Sequence, residues 1–192
     1  MDRLLFGLGN PGKGYAETRH NAGWQVLDHL LAGDPLATGF RRTRLVHGEV
    51  ADLRIGDLKC VLVKPASFMN LVGPVYVRAL EVYDLPPERA LVLVDDFALP
   101  FGRTRLRADG RHAGHNGLRS LEQSLGSTDY PRLRLGIGPM PEAARWAEWV
   151  LKRYDATQKR ALPDLLHRGA EAARLWAREG LEAAANRFNG EA

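Results

Sequence analysis

The stretch Ala90-Leu91-Val92-Leu93-Val94-Asp95-Asp96 decides the fold that the sequence predicts. Five consecutive apolar residues followed at once by two acidic ones are typical of a strand buried on both faces and of the loop after it. Strand and helix patterns alternate on both sides of this stretch, which favours a mixed, largely parallel sheet covered by helices on both faces. The 192 residues fit one domain, so we predict a single α/β domain over residues 1–192.

The other elements are predicted from periodicity and turn residues. Short apolar or alternating patterns predict strands at residues 4–8, 46–55, 58–63, 103–107 and 133–137. Gly56-Asp57 suits the connection of a β-hairpin, and Lys64-Pro65 is expected to stop the second strand of that hairpin. Apolar residues at helical spacing predict helices at residues 24–31, 71–83, 118–125, 143–150, 162–176 and 181–188.

Composition and charge exclude several classes of protein. The chain carries 27 Lys and Arg against 23 Asp and Glu, which permits a polyanionic partner without requiring one. A single cysteine, Cys60, rules out an intrachain disulfide and is consistent with a reducing compartment. No apolar run is long enough to span a bilayer and no signal-like leader precedes the first strand. We therefore expect a cytoplasmic protein without a membrane partner, and a monomer.

Polar side chains cluster where the pattern places strand ends and loops. In parallel α/β folds, ligands bind outside the carboxyl ends of the strands, so residues that follow such strands should share one rim of the sheet. The segments concerned are Gly9-Asn10-Pro11-Gly12, Thr18-Arg19-His20-Asn21, Phe68-Met69-Asn70, Asp95-Asp96 and Gly114-His115-Asn116-Gly117.

Histidine and aspartate within this set predict general-base catalysis. Histidine is the side chain whose ordinary pKa suits proton abstraction near neutral pH. A carboxylate beside it would hold one ring tautomer and favour the imidazolium. Asp95 is the best candidate for that carboxylate, because a strand end fixes its position. The competing interpretation is that His20 and Asp95 merely cap helices.

A nucleotide-cofactor site is the first alternative. Gly7-Leu8-Gly9-Asn10-Pro11-Gly12 matches the dinucleotide fingerprint G-x-G-x-x-G, in which the third glycine opens a helix that receives pyrophosphate. Pro11 and Gly14 make an immediate helix unfavourable, and Asp28, at the distance where an acidic residue should follow, falls on a predicted helix. We therefore expect no cofactor.

A metal site and a covalent nucleophile are the remaining alternatives. Three loop residues and one distant histidine could form a ligand set: Asp109, His112, His115 and His20. The glycines of that loop, together with Arg107 and Arg111, speak against it, so we expect no metal. The sequence has no G-x-S-x-G elbow for a serine nucleophile, and Cys60 falls inside a strand pattern.

The same polar segments resemble those of bacterial-type peptidyl-tRNA hydrolases. The similarity runs essentially from end to end, and five separated motifs occur in the same order. The motifs are Gly7-Leu8-Gly9-Asn10-Pro11-Gly12 with Tyr15 and Thr18-Arg19-His20-Asn21-Ala22-Gly23; Lys64-Pro65 with Phe68-Met69-Asn70-Leu71; Asp95-Asp96 before Leu99-Pro100; Gly114-His115-Asn116-Gly117-Leu118; and Arg132-Leu133-Arg134-Leu135-Gly136-Ile137-Gly138.

The resemblance implies hydrolysis of the ester between a peptide and the 3′ ribose of tRNA, with a role in translation and ribosome rescue. It implies that His20 is the general base, that Asp95 keeps His20 basic, and that Asn10 distinguishes N-blocked from free aminoacyl esters. Positioning of substrate and water is implied for Asn70 and Asn116 together with Asn10. Contacts to the acceptor end are implied for Tyr15 and Phe68, a substrate contact for Met69, and a grip on a tRNA phosphate for Arg107 and Arg134. Residues 138–152 are a possible lid over the substrate, although Trp146 and Trp149 at helical spacing are equally consistent with packing.

The sequence leaves three hypotheses about function open. The first is the RNA-ester hydrolase, whose partner would be the acceptor stem and 3′ end of peptidyl-tRNA. The second is an RNA-binding module that keeps the fold and the basic residues without catalysis. The third is a metallohydrolase built on His112 and His115.

Overall fold

A mixed sheet organises the computed structural model of the chain, which describes residues 1–34, 37–142 and 144–190. Seven strands form this sheet within the described residues. They are β1 (Arg3–Gly7), β2 (Arg41–Thr43), β3 (Gly48–Ile55), β4 (Leu58–Pro65), β5 (Ala90–Pro100), β6 (Thr104–Arg107) and β7 (Arg132–Gly138). Their order across the sheet is β2-β3-β4-β1-β5-β7-β6.

Helices connect most of the strands. The α-helices are α1 (Ala22–Ala32), α2 (Val72–Tyr83), α3 (Asn116–Leu125), α4 (Trp146–Val150), α5 (Ala156–Glu179) and α6 (Leu181–Phe188), and short 3₁₀ turns lie at Arg19–Asn21, Met69–Leu71 and Pro87–Arg89. None of the helices in the described ranges combines the length and the apolar composition needed to cross a bilayer.

The four central strands run parallel, and the outer strands pair antiparallel. β1 lies between β4 and β5, and β7 continues the parallel set on the far side of β5. β2, β3 and β6 add antiparallel edges. The predicted hairpin joins β3 to β4, and Gly56 adopts the left-handed conformation (φ 61°) that its tight turn requires. The predicted mixed, largely parallel sheet is confirmed.

Helices cover both faces of the sheet, as predicted. Alternate residues of β5 point to opposite faces, because side chains alternate along a strand. Leu91 and Leu93 therefore belong to the core beneath α1, α5 and α6, whereas Val92 and Val94 belong to the core beneath α2 and α3. All four side chains are fully buried, which explains why this stretch of sequence lacks any polar alternation.

Two predicted strand ends are wrong. Asp95 and Asp96 do not lie in a loop after the central strand, because β5 continues to Pro100 and stays paired with β7 beyond them. Lys64-Pro65 does not stop β4 before residue 64, since both residues still align with the start of β3. Both acidic residues are consequently held by strand backbone, which fixes their positions more firmly than a loop would.

The helix predictions are correct in place, and the prediction for residues 181–188 also matches α6 in length, but several other helices differ in their bounds. The long helix begins at Ala156, well before residue 162, because Asp155 and Gln158 form a capping box at its start. Residues 69–71 form a 3₁₀ turn, so α2 begins at Val72. The short helix α4 covers Trp146–Val150, and the predicted contribution of Ala143 lies outside the described residues.

Gly23 brings α1 into direct contact with the sheet. A Cβ at this position would lie 2.4 Å from the carbonyl oxygen of Leu93 and 2.8 Å from backbone atoms of Leu8. Only glycine permits so close an approach of a helix to β5 and to the residue that follows β1. The turn that precedes α1, which carries His20, is therefore pressed against the carboxyl end of β5.

Candidate active site

An open cleft of about 540 Å³ lies at the carboxyl edge of the parallel strands. Most of the polar segments singled out in the sequence contribute to its walls, as expected for a parallel α/β sheet. Its lining consists of Asn10, Tyr15, His20, Phe68, Met69, Asn70, Asn116, Arg119, Trp146, Ala147, Val150 and Leu151.

His20 and Asp95 form a buried hydrogen-bonded pair at the floor of this cleft. The Nδ1 atom of His20 lies 3.0 Å from each carboxylate oxygen of Asp95. The two side chains are 4% and 1% exposed, so the contact is protected from bulk water. If Nδ1 carries the proton and donates it to the carboxylate, the second ring nitrogen, Nε2, is left with a lone pair. A lone pair at the cleft floor can accept a proton from water.

A second histidine, His115, contacts the same carboxylate. The sequence pattern did not predict this contact. The Nε2 atom of His115 lies 3.0 Å from Oδ1 of Asp95. Its Nδ1 atom accepts hydrogen bonds from the backbone N–H groups of Gly117 (3.1 Å) and Leu118 (3.3 Å), which makes His115 the N-cap of α3. An imidazole nitrogen that accepts cannot carry a proton, so His115 is the neutral tautomer that donates from Nε2.

The electrostatics of the three side chains agree with this assignment. Burial acts to raise the pKa of Asp95, but attraction to His20 and His115 and their hydrogen bonds hold it well below its ordinary range. Burial also lowers the pKa of His115, although Asp95 acts in the opposite direction. The site at neutral pH thus contains an ionised carboxylate that receives hydrogen bonds from both rings.

Asn10 is held by hydrogen bonds on both its main chain and its side chain. Its Oδ1 atom accepts from the backbone N–H of Met69 at 2.8 Å, so its amide NH₂ group remains for the cleft. Asn21 clamps the backbone of Asn10 from the other side: its Oδ1 accepts from Asn10 N and its Nδ2 donates to Asn10 O, both at 3.0 Å. The sequence placed Asn21 in a polar segment but gave no sign of this clamp.

The remaining predicted substrate contacts line the upper walls. Tyr15 and Phe68 meet edge to face with ring centroids 6.2 Å apart, and Phe68 is 52% exposed although it is aromatic. Asn70 is exposed and Asn116 is half-buried, and both face the cleft. Arg119 also lines it, at one helical turn from Asn116 on α3, and no sequence motif pointed to it.

Arg107 and Arg134, the two predicted phosphate contacts, lie outside the cleft lining. Arg107 is exposed on β6, and Arg134 lies on the neighbouring strand β7, where it is diagonal to Arg107 in the register. The Nε atom of Arg134 lies 2.9 Å from Oδ2 of Asp96. The structure therefore brings the two arginines to one face of the sheet but gives Arg134 a carboxylate partner.

Helix α4 forms one wall of the cleft and is tied to the segment that carries His20. Trp146 and Val150 line the cleft, whereas Trp149 is 6% exposed and stacks on the guanidinium of Arg19 at 4.4 Å. Arg19 also donates to the carbonyl oxygens of Lys152 and Arg153, at 3.2 and 2.8 Å. The end of this wall is consequently anchored beside His20.

The residues that could hold a metal in the structure differ from the set that the sequence suggested. Within the described ranges, His20, Asp95 and His115 bring their ligand atoms within 4.8 Å of one another, whereas Asp109 and His112 do not join them. His112 instead accepts from the backbone N–H of Gly114. The ring nitrogens that a cation would need are the ones directed at Asp95 as N–H donors. Metal binding would require both to lose their protons.

The dinucleotide alternative fails on local geometry. The helix after the glycine-rich segment begins only at Ala22, so Gly12 does not open a helix N-terminus. Gly7 and Gly9 instead lie beneath α1, where a Cβ would meet Leu27 and the ring of Trp24. Those glycines serve packing between helix and strand rather than the approach of a pyrophosphate.

A buried histidine–aspartate pair at the floor of an open cleft is an arrangement that hydrolases use for general-base catalysis. The family described as peptidyl-tRNA hydrolase matches residues 4–192 of the sequence. The chain belongs to the peptidyl-tRNA hydrolase family, and it is accordingly an enzyme that hydrolyses ester bonds. The resemblance and the enzyme class inferred from the sequence are confirmed.

Individual relatives match over nearly their whole length. A peptidyl-tRNA hydrolase of Chloroflexus aurantiacus is 43% identical over 187 residues, which cover 97% of this chain and 98% of the relative. A peptidyl-tRNA hydrolase of Mycobacteroides abscessus is 42% identical over 186 residues, which cover 97% of this chain and 94% of the relative. The crystal structure of peptidyl-tRNA hydrolase from Acinetobacter baumannii superimposes with a TM-score of 0.89 at 29% identity, covering 98% of this chain and 94% of that one.

Proposed function

We propose that this enzyme cleaves the ester between the peptide and the 3′ ribose of peptidyl-tRNA, with His20 as general base and Asp95 as its partner. The contact of His20 Nδ1 with both oxygens of Asp95 at 3.0 Å carries the proposal. It directs one ring nitrogen at the carboxylate and leaves the other for water. An aminoacyl ester is already labile, so a base and a positioned water suffice without a covalent nucleophile.

The proposed reaction moves one proton through His20. Nε2 takes a proton from water while the water oxygen attacks the ester carbonyl carbon, giving a tetrahedral intermediate and an imidazolium. The bond from that carbon to the ribose oxygen then breaks, and the proton passes from His20 to the leaving oxygen. Asp95 stabilises the transient imidazolium because its carboxylate is ionised and buried beside the ring.

His115 acts in this proposal as a positioning residue. The N-terminus of α3 fixes its Nε2–H as a donor to Oδ1 of Asp95. That hydrogen bond prevents the carboxylate from rotating away from His20 and keeps Asp95 ionised. His115 itself stays neutral, so it does not compete with His20 for the proton.

The asparagines hold the substrate by uncharged dipoles. The NH₂ group of Asn10 is available because Met69 N–H occupies its oxygen, and Asn70 and Asn116 present amides from two other walls. These groups bind the peptide amide and the oxyanion that develops at the ester carbonyl. A free aminoacyl ester would place an ammonium group among neutral amides without a carboxylate to pair it, which favours N-blocked substrates.

In this proposal, the RNA portion of the substrate is held by two aromatic rings in the cleft and by arginines inside and outside the cleft lining. Tyr15 and the exposed ring of Phe68 offer stacking surfaces for unpaired bases at the 3′ end. Arg107, Arg134 and Arg119 supply guanidinium groups for phosphates. Residues 138–152 act as a lid that closes over the acceptor end and is anchored at its end by Arg19.

Turnover of N-acetyl-aminoacyl-tRNA by the wild type and by His20→Ala tests the proposal, with tRNA binding measured in parallel. We expect hydrolysis by the wild type, loss of about 10²-fold or more in kcat for His20→Ala, and unchanged tRNA binding. Tight tRNA binding without wild-type turnover would support an RNA-binding module instead. Activity abolished by excess chelator and restored by a divalent metal would support the metallohydrolase.

The preference for blocked substrates has its own test. The wild type should cleave N-acetyl-aminoacyl-tRNA faster than free aminoacyl-tRNA, and Asn10→Ala should narrow that difference. Equal wild-type rates for the two esters would refute the proposed selection against the ammonium group.

A further inference from the structure

A second concave site lies at the opposite edge of the sheet from the catalytic cleft. The turn between β3 and β4 forms one wall, and the last turns of α5 together with α6 form the others. The cavity measures about 270 Å³. Four arginines from three separate elements line it: Arg54, Arg174, Arg178 and Arg187.

The positive charge of this cavity is not matched by carboxylates. Glu171 is the single acidic residue among the described residues that line it, and it lies 3.7 Å from Nε of Arg174. Arg178 has Glu179 beside it at 3.5 Å, an exposed contact that contributes little. In the described part of the chain, Arg54 and Arg187 form no ion pair. Arg54 also lies directly across the hairpin from Lys59.

Arginines that share a concavity repel one another, and a bound anion offsets that repulsion. Like charges directly opposite each other on paired strands repel, and so do guanidinium groups gathered in one concavity. A phosphate group relieves the repulsion and accepts paired hydrogen bonds from the flat guanidinium forks. The four arginines and Glu171 that line the cavity carry a formal charge of +3, which a diphosphate matches more closely than a phosphate dianion does.

We propose that this arginine cavity binds a diphosphate group, either inorganic pyrophosphate or the diphosphate of a nucleotide. The arginine cavity is separate from the catalytic cleft. Arg54 lies near the hairpin turn where β4 begins, at the amino edge of the parallel strands, whereas His20 lies at their carboxyl edge. Helix α5 spans the distance: its start contacts the carbonyl of Ile137, and its end carries Arg174 and Arg178. A ligand in this cavity would therefore not contact the ester in the cleft.

Isothermal titration with sodium pyrophosphate tests the proposal, with ADP as a second probe and sodium sulfate at matched ionic strength as reference. We expect one saturable site for pyrophosphate and a much weaker response to sulfate. The double variant Arg54→Gln/Arg187→Gln should weaken binding about tenfold or more, since each lost charged hydrogen bond is costly. Arg42→Gln/Arg160→Gln removes the same charge from exposed positions outside the cavity and should bind as the wild type does.

The two probes and two further variants make the outcome decisive. Equal binding of ADP and pyrophosphate identifies the diphosphate as the recognised group, and tighter ADP binding identifies a nucleotide as its source. The single variant Arg54→Gln, at an exposed hairpin position, should show part of the loss even if the double variant folds poorly. The proposal is overturned if neither probe saturates, if the cavity and control variants bind alike, or if Arg107→Gln alone removes binding.

Discussion

Replacing Asp95 by asparagine removes the charge at the centre of the proposed site while nearly preserving its shape. Both His20 and His115 direct a ring nitrogen at this side chain at 3.0 Å, and His115 is fixed as an N–H donor by the start of α3. An amide has one oxygen where the carboxylate has two. If the oxygen faces His115, the amide NH₂ meets Nδ1 of His20 and forces the proton onto Nε2, the atom that must accept a proton from water.

The size of the effect follows from what is lost. If the amide oxygen still serves both rings, only the charge disappears, which costs about 1–2 kcal/mol as the difference between a charged and a neutral hydrogen bond. If the tautomer of His20 reverses, the contribution of the general base disappears, about 10²–10⁴-fold. Because His115 is held as an N–H donor and takes the single amide oxygen, we expect the tautomer of His20 to reverse and kcat for Asp95→Asn to fall by about 10²–10⁴-fold. KM should change little, because Asp95 does not line the cleft.

The assay is steady-state hydrolysis of N-acetyl-aminoacyl-tRNA, with Asp96→Asn as the matched control. Asp96 is also a buried carboxylate on β5, but its oxygens meet Ala98 N and Arg134 rather than a histidine. The control should keep a kcat close to that of the wild type. A general base contributes far more than a threefold increase in rate. If Asp95→Asn keeps more than about a third of wild-type kcat, the pairing of His20 with Asp95 therefore has no catalytic role.

Three further results are expected. The pKa of His115 is lowered in the folded protein, so its ring stays neutral there, whereas in the unfolded chain the ring binds a proton below its ordinary pKa of 6.5. The stability that His115 contributes is therefore present above that pH and is lost as the pH falls. Urea unfolding at pH 8 and pH 5 should therefore show a smaller loss for His115→Gln than for the wild type, and equal losses would contradict the neutral tautomer. Asn21→Ala breaks both hydrogen bonds to the backbone of Asn10, so it should destabilise the fold by about 1–3 kcal/mol in the same assay and lower kcat; unchanged values of both would show that the clamp is unimportant. Arg107→Ala should raise KM for tRNA esters and spare small ester substrates, and an unchanged KM would remove Arg107 from the phosphate contacts.

The sequence was sufficient for the framework of the fold because its signals are local. The unbroken apolar run of β5 and the glycine at the hairpin turn each specify one conformation within a few residues. Polar segments at the ends of parallel strands then predicted one rim, and the structure brings Asn10, His20 and Asn116 to one cleft. The exact reach of β5 was not predictable, because pairing with β7 carries the strand past two charged residues.

The details of the site depend on contacts between distant segments. The sequence places His115 in a polar segment and offers it as a metal ligand, but it does not predict its contact with Asp95. That contact depends on backbone N–H groups at the start of α3 and on a strand residue 20 positions earlier. The hydrogen bonds of Asn21 to Asn10 and of Arg19 to the end of the α4 wall likewise join segments that are separated in the sequence. Sequence spacing identifies such side chains as polar but does not say which donor meets which acceptor.

The positions of the ring protons test the proposed chemistry most directly. Two-bond ¹H–¹⁵N correlation spectra of uniformly ¹⁵N-labelled enzyme at neutral pH, assigned with the His20→Ala and His115→Gln variants, distinguish protonated from unprotonated ring nitrogens. We expect the proton of His20 on Nδ1 with Nε2 bare, and the reverse arrangement for His115. A spectrum in which Nε2 of His20 carries the proton and Nδ1 is bare would contradict its assignment as the base that activates water.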